Sequence, residues 1–474
     1  MNREIFVDRK RELAFLEGMY RKPGSQLVVI YGRRRIGKTD LVLKFLENKR
    51  AIYFLADEEP EHVQISRFAR ISSEVLGEAL LGIGHYSTWG EFFEALANVC
   101  SRLSEKLVIV IDEVPYLVST SKGFLSALQR VWDSYLSKMN VMLVLIGSSV
   151  SVMETEVLGY KSPIYGRRAG QWRVDYIPFP YLREFLPGYS VVDLARVWGV
   201  AGGVPYYLKL FDHTKDFWSN VAELCLSKGG VLYEEAEFLL REELREPRNY
   251  KAILTAIARG CTKLGEICNY TGLDRYLVSK YLDTLEMLSI VKRIVPLTAS
   301  PRTKRGRYLI VDPYFNFWFR YIQPNKGLVE GGRTGELLEM VKEDYPRYMG
   351  FVFENLVERR LLCLLPVKRI GKEWGRDYEV DVAAVLTDNR LLLLEVKWSR
   401  LDRRSAWRIV SRLKSVSARI SAPMDRVYGL AGIEVEGKEE LREKGYVVLE
   451  LADLAEQIRE KTESMRRKEQ GYEN

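Results

Sequence analysis

The feature that most restricts the fold lies between residues 27 and 46. An unbroken apolar run, Leu27-Val28-Val29-Ile30-Tyr31, leads into Gly32-Arg33-Arg34-Arg35-Ile36-Gly37-Lys38-Thr39-Asp40, and an amphipathic stretch continues to Leu46. A Val/Ile-rich run of this kind reads as a strand buried on both faces. The spacing GxxxxGK[ST], after a strand and at the start of a helix, is that of a phosphate-binding loop. Its glycines let backbone N–H groups approach phosphate oxygens, and the helix N-terminus favours their negative charge. Lys38 then reaches the β- and γ-phosphates, and Thr39 helps to hold Mg²⁺. The expected ligands are ATP and Mg²⁺, and the expected reaction is ATP hydrolysis.

Apolar runs recur at residues 51–56, 107–111, 141–146 and 174–177, separated by helical patterns. That alternation predicts a parallel sheet covered on both faces. The run at 107–111 ends in Asp112-Glu113. Asp112 is placed to bind Mg²⁺ through water and Glu113 to polarise the attacking water, because phosphoryl transfer depends on positioning and charge neutralisation. The run at 141–146 ends in Gly147-Ser148-Ser149, where a hydroxyl can sense the γ-phosphate.

Taken with Phe6-Val7-Asp8-Arg9-Lys10-Arg11-Glu12-Leu13, Tyr165-Gly166-Arg167-Arg168 and Gly202-Gly203-Val204-Pro205-Tyr206, these motifs resemble the archaeal ATPase family within the AAA+/STAND group of P-loop proteins. The resemblance covers about residues 1–250. It implies that the Ser148 strand lies between the phosphate-loop strand and the Asp112 strand. It also implies that Pro205 packs near the base and that Arg167 or Arg168 touches a phosphate. Ser148 departs from the asparagine that the family often holds at that position.

Beyond the nucleotide region, residues 250–257, 263–271 and 274–287 read as three helices with a Thr271-Gly272-Leu273 turn, followed by a hairpin at 290–296 and 307–311. A helix-turn-helix with a wing places its last helix in a DNA groove, with Arg275, Tyr276 and Lys280 as candidate contacts. The wing cations Arg302, Lys304 and Arg305 would hold phosphates. The same unit can instead serve as a nucleotide-sensing lid. The net charge of +8 agrees with a nucleic-acid partner and equally with a solvated surface.

Near the C-terminus, Glu379-Val380-Asp381 and Leu394-Glu395-Val396-Lys397 flank a turn at Asp388-Asn389. Glu395 and Lys397 share one face of a strand, since side chains alternate. Asp381 and Glu395 can chelate Mg²⁺ or Mn²⁺, with Glu354 from an upstream helix as a further ligand and Lys397 steadying the charge. This D…ExK set resembles the restriction-endonuclease-like superfamily over residues 351–451. The helix that follows carries Arg403, Arg404, Arg408, Arg412, Lys414 and Arg419, either as phosphate contacts or as a solvated face. The reading makes one geometric demand. A two- or four-residue turn would set Asp381 against Val396 and put the pair on opposite faces. Convergence requires an odd-length loop or a bulge.

The expected fold is therefore α/β. It has a P-loop ATPase parallel sheet (1–180), a helical lid (181–248), a winged helix-turn-helix (249–322) and a linker (323–350). A restriction-endonuclease-like α/β domain (351–456) and a charged tail (457–474) follow. Five scattered cysteines without a CxxC pair and three dispersed histidines argue against zinc clusters and disulfides. No apolar run approaches the ~20 residues that span a bilayer, so a soluble, cytoplasmic protein with no membrane contact is expected. Expected partners are DNA and, in a homo-oligomer, further copies of the chain.

Overall fold

The computed structural model describes residues 6–244, 246–300 and 302–457. Residues 458–474 of the expected tail lie outside the described residues. The chain divides into two compact units. The first holds Met1–Tyr176, Val204–Tyr206 and Arg241–Arg245; the second holds Ile177–Gly203, Tyr207–Leu240 and Glu246–Asn474.

In the first unit, β1 (Gln26–Tyr31), β2 (Ala51–Leu55), β3 (Leu107–Asp112), β4 (Val141–Gly147) and β5 (Gly170–Arg173) form one sheet in the order β2-β3-β4-β1-β5. All pairings are parallel. Every residue of β1, β3 and β4 is buried, which is why these strands read as unbroken apolar runs. One face packs Leu16 of α1 (Lys10–Arg21) and Leu41, Val42 and Phe45 of α2 (Lys38–Leu46). The other packs an aromatic layer of Phe68, Trp89, Phe92 and, from α3 (Phe124–Ser134), Phe124. The central place of β4, between β1 and β3, is the one the family resemblance implies.

The fifth strand is not the expected run at 174–177. Pairing with β1 runs through Gly170–Arg173, and Val174 N–H gives one last bond to Tyr31 O at 2.7 Å. As an edge strand β5 alternates half-buried and exposed residues, so continuous apolarity could not mark it.

The helix α4 (Val231–Glu243) contributes its first ten residues to the second unit and its last turn to the first. In the second unit, α5 (Pro247–Ala258), α6 (Leu264–Thr271) and α7 (Arg275–Met287) precede an antiparallel hairpin of β6 (Val291–Ile294) and β7 (Arg307–Ile310). Asp274 caps α7 by accepting from Tyr276 and Leu277 N–H, and Val278, Tyr281, Leu282 and Leu285 form its buried face.

The expected linker at 323–350 is folded. It holds short helical turns and the start of α8 (Thr334–Leu364), a 31-residue helix. Buried Tyr345 and Tyr348 donate to Arg196 O at 2.7 Å and Gly199 O at 2.6 Å. These partners are 149 residues away, so local sequence gave no sign of them.

Beyond α8 a mixed sheet runs in the order β14-β12-β10-β9-β8. Its strands are β8 (Val367–Trp374), β9 (Glu379–Leu386), β10 (Leu391–Val396), β12 (Arg426–Gly432) and β14 (Val447–Glu450). The first three pair antiparallel and the last three parallel. Two short strands, β11 (Arg400–Leu401) and β13 (Glu434–Val435), pair beside it. The amphipathic α9 (Arg403–Ser417) buries Ala406, Val410 and Leu413. Among the described residues, no helix is long and apolar enough to cross a membrane.

Candidate nucleotide site and C-terminal carboxylate cluster

Parallel pairing aligns strand ends in the first unit, with Tyr31 opposite Gly147 and Leu55 opposite Asp112. The loop after β1, the Asp112-Glu113 pair and Ser148 therefore meet at one edge of the sheet. Gly32 has φ 154°, and a Cβ there would stand 2.5 Å from Val174 O, so only glycine fits. Gly37, at φ 83°, takes the left-handed conformation that opens α2.

Lys38 is 6% exposed and its ammonium donates to Gly32 O at 2.9 Å and Arg33 O at 3.0 Å. Burial lowers its pKa to about 8, against the pull of Glu113 and Asp112. Thr39 Oγ1 donates to Asp112 Oδ2 at 2.9 Å, and Tyr53 OH donates to the same oxygen at 2.5 Å. Burial, and then Asp112, raise the Tyr53 phenol well above its ordinary range, so it remains a donor. Glu113 sits in the left-handed region at φ 54°. Its carboxylate accepts from Ser148 Oγ at 2.7 and 2.6 Å and from Ser148 N–H at 3.3 Å. Ser148 thus fixes the Glu113 carboxylate at the end of β4.

The remaining loop residues are also placed. Arg33 donates to Tyr176 OH at 3.1 Å. Arg34 donates to Tyr116 OH at 3.1 Å and pairs with Glu242 at 2.6 Å. Arg35 lies 4.2 Å over the Tyr206 ring, and Pro205 approaches Gly37. Ile36 is buried, and its carbonyl accepts from Arg9 at 2.9 Å. Asp40 stands exposed in the first turn of α2.

Arg167 is a correction. Ala169 N–H bonds Leu27 O at 2.7 Å, so Arg167 lies at the edge where the strands begin. The phosphate loop lies at the other edge, about 16 Å along the strand at ~3.3 Å per residue. Its guanidinium is held by both carboxylate oxygens of Asp133, each at 2.8 Å. Arg167 does not reach its own chain's phosphate loop. Arg168 donates to Leu158 O at 3.0 Å.

In the second unit, Leu394 opposes Val382 and Leu391 opposes Val385, a register that brings Asp381 opposite Glu395. The connecting loop has the odd length that convergence requires. Leu386 N–H bonds Arg390 O at 2.9 Å, and Asn389 turns the chain at φ 66°. Lys397 Nζ bridges Glu395 at 2.7 Å and Asp381 at 3.3 Å, and Val396 N–H donates to Asp381 at 2.9 Å. Burial works to lower the Lys397 pKa, but Asp381 and Glu395 outweigh it and hold the ammonium charged.

Glu354 stands within electrostatic range of Asp381 and Lys397 without bonding either. Its carboxylate is taken by the Lys372 ammonium. Burial raises its pKa in spite of that pair. Among the described residues no three His, Cys, Asp or Glu side chains form a metal-holding group. A cleft of about 460 Å³ opens beside Glu395 and Lys397, lined by Ser399, Ser405, Arg408 and Arg412.

The candidate nucleic-acid contacts are mostly accessible. Arg275, Tyr276, Lys280, Arg302, Lys304, Arg305, Arg404, Arg408 and Arg412 are exposed. Others are engaged: Arg403 pairs with Glu440 at 2.6 Å, Lys414 donates to Tyr446 OH at 2.7 Å, and Arg419 donates to Asp377 O at 3.1 Å. The start of the segment between β6 and β7, the expected wing, is held by protein. Leu297 N–H bonds Lys372 O at 2.9 Å, and Thr298 N–H bonds Glu373 at 2.8 Å.

Residues 6–211 match the family described as an ATPase domain predominantly from Archaea. An uncharacterised protein of Methanocaldococcus jannaschii is 36% identical over 444 residues, 92% of this chain and 97% of its own length. The chain belongs to this archaeal ATPase family. The ATPase also matches, over residues 318–409, a family described as Archaea bacterial proteins of unknown function. An uncharacterised ATP-binding protein of M. jannaschii is 54% identical over 46 residues, 10% of this chain and 78% of that protein. The Walker-type ATPase PABY2304 of Pyrococcus abyssi shares the fold with a TM-score of 0.50 at 21% identity, covering 67% of this chain and 97% of that one.

Four residues that contact the archaeal ATPase's candidate nucleotide site were not foreseen: Arg9, Tyr53, Glu242 and Glu243. Arg9 had a signal, since it stands in the Phe6–Leu13 motif that carried the resemblance. Tyr53 is one aromatic in an apolar run, and Glu242 and Glu243 are two acids in a charged helix, patterns that carry no mark of a site.

Proposed function

We propose that the chain is an ATP-hydrolysing switch that couples nucleotide state to DNA binding and to metal-dependent DNA cleavage by its C-terminal domain. At the nucleotide site, Lys38 binds the β- and γ-phosphates. Thr39 and Asp112 are hard oxygen donors already in contact, which suits Mg²⁺. Glu113 orients the attacking water, and Ser148 holds Glu113 in place.

Cleavage rests on one observation: Asp381 and Glu395 oppose each other on adjacent strands with Lys397 across both. Two carboxylates plus a substrate phosphate are a sufficient set for Mg²⁺ or Mn²⁺. Such an ion would supply an activated water and neutralise phosphate charge. The order of α8, the sheet strands β8, β9 and β10, the two-residue β11, then α9 and β12, supports the restriction-endonuclease-like reading. Arg408 and Arg412 border the cleft and would hold the DNA backbone there. Arg275, Lys280 and the wing cations would add phosphate contacts, with the three-helix unit as a winged helix.

A second reading is favoured by the cations already in place. Lys397 crosses the two carboxylates and Lys372 neutralises Glu354. In that reading the domain binds DNA or a partner without cutting, and the chain is a nucleotide-switched regulator. Incubation with plasmid and single-stranded DNA in Mg²⁺ or Mn²⁺ separates the two. Cleavage abolished by Asp381→Ala and by Glu395→Ala supports the nuclease; DNA binding without cleavage leaves the regulator.

A further inference from the structure

The last turn of α4 brings two carboxylates to the phosphate loop that the hydrolytic chemistry does not use. Glu242 pairs with Arg34 at 2.6 Å, and Glu243 accepts from Ser149 Oγ at 3.2 Å. Arg34, Lys38 and Arg33 all act electrostatically on Glu243. Ser149 directly follows Ser148, which grips Glu113. Glu243 therefore stands among the groups that the terminal phosphate of a triphosphate would meet: the loop lysine, a loop arginine and the hydroxyls at the end of β4. A buried carboxylate keeps its charge only where cations offset the lost hydration. Burial pushes the Glu243 carboxyl up to about 7, and its hydrogen bond from Ser149 and the loop cations work against that rise.

We propose that Glu242 and Glu243 form an acidic latch that competes with the γ-phosphate of ATP for Arg34 and Ser149, so that a triphosphate releases the end of α4. The proposal rests on the ATP-site reading above. Phosphate oxygens and the latch carboxylates both accept from Arg34 and Ser149, so both cannot hold these donors at once. ADP lacks the terminal phosphate and leaves the latch its partners. The release has an output along the chain, because only Leu244 to Glu246 separate α4 from Pro247, where α5 begins. The latch is thus a specificity device: it makes the end of α4 answer to the third phosphate.

The test is equilibrium binding of Mg·ATP and Mg·ADP to the full chain, wild type against Glu242→Gln/Glu243→Gln. The expected result is ATP binding at least tenfold tighter in the variant, with ADP affinity changed less than threefold. Equal ATP affinities, or an equal gain for both nucleotides, overturn the latch. A wild-type chain that binds neither nucleotide overturns the ATP-site reading and the latch with it. Hydrogen exchange on the wild type gives a check independent of any variant's folding. Amides of residues 241–250 should exchange faster with ATP than with ADP, and identical exchange overturns the proposal.

Discussion

Burial in the loop draws Lys38 from its ordinary 10.5 to about 8. Between those values the unfolded chain holds a proton that the folded chain has released, so stability rises with pH through that window. The full effect is about 3 kcal/mol at ~1.4 kcal/mol per unit. Without nucleotide, the melting temperature should climb between pH 8 and 10, and Lys38→Met should flatten the climb; a parallel profile for the variant refutes the assignment. Glu113→Gln keeps the volume and removes the charge that orients water. ATP binding should persist while turnover falls about a hundredfold or more, read by steady-state phosphate release; an unchanged rate removes Glu113 from the role. At this scale the sequence disclosed the residues whose spacing is fixed by backbone chemistry, Gly32, Lys38 and Thr39. Tyr53, Glu242 and Glu243 stayed hidden because their roles depend on which strand and helix ends meet, not on spacing.

The β9–β10 hairpin shows how a single backbone angle sets a side-chain constellation. Asn389, at φ 66°, closes the odd loop that brings Asp381 opposite Glu395. Asparagine tolerates that conformation and a β-branched residue does not. Asn389→Gly should stay within about 0.5 kcal/mol of wild type, while Asn389→Val should lose about 1–2 kcal/mol, measured by urea unfolding. The apolar runs on either side of Asp388-Asn389 disclosed both strands of this pair, but the register had to be seen, since turns of two or three residues fit the same sequence. For the wing, neutralising Arg302, Lys304 and Arg305 together should lower the slope of log affinity against log salt by up to about three contacts' worth. An unchanged slope assigns the wing wholly to its protein contacts at Leu297 and Thr298.

For the molecule as a whole, a ligand that binds only the folded chain stabilises it by mass action, about 2.7 kcal/mol at a hundred times its dissociation constant. Mg·ATP should therefore raise the first melting transition, and Lys38→Ala should abolish the rise; a shift retained in that variant places the nucleotide elsewhere. The sequence laid out the strand–loop–helix alternation of the first unit and the helix–helix–helix–hairpin order of the second. It concealed the first half of α8, because residues 323–350 carry Gly327, Gly331 and Gly332 among charges, while Tyr345 and Tyr348 find their partners far along the chain. The N-terminal half of α8 is anchored by those tyrosines, and its C-terminal half by Phe353 against Trp398. An unbroken helix fixes angular phase as well as distance: each residue turns the rod about 100° and advances it about 1.5 Å. One residue inserted between Met349 and Gly350 would swing the two anchored faces about a quarter-turn out of step. A seven-residue insertion would nearly restore the phase at a longer reach. Evolution can lengthen this rod only in steps of whole turns, so its length is in effect quantised.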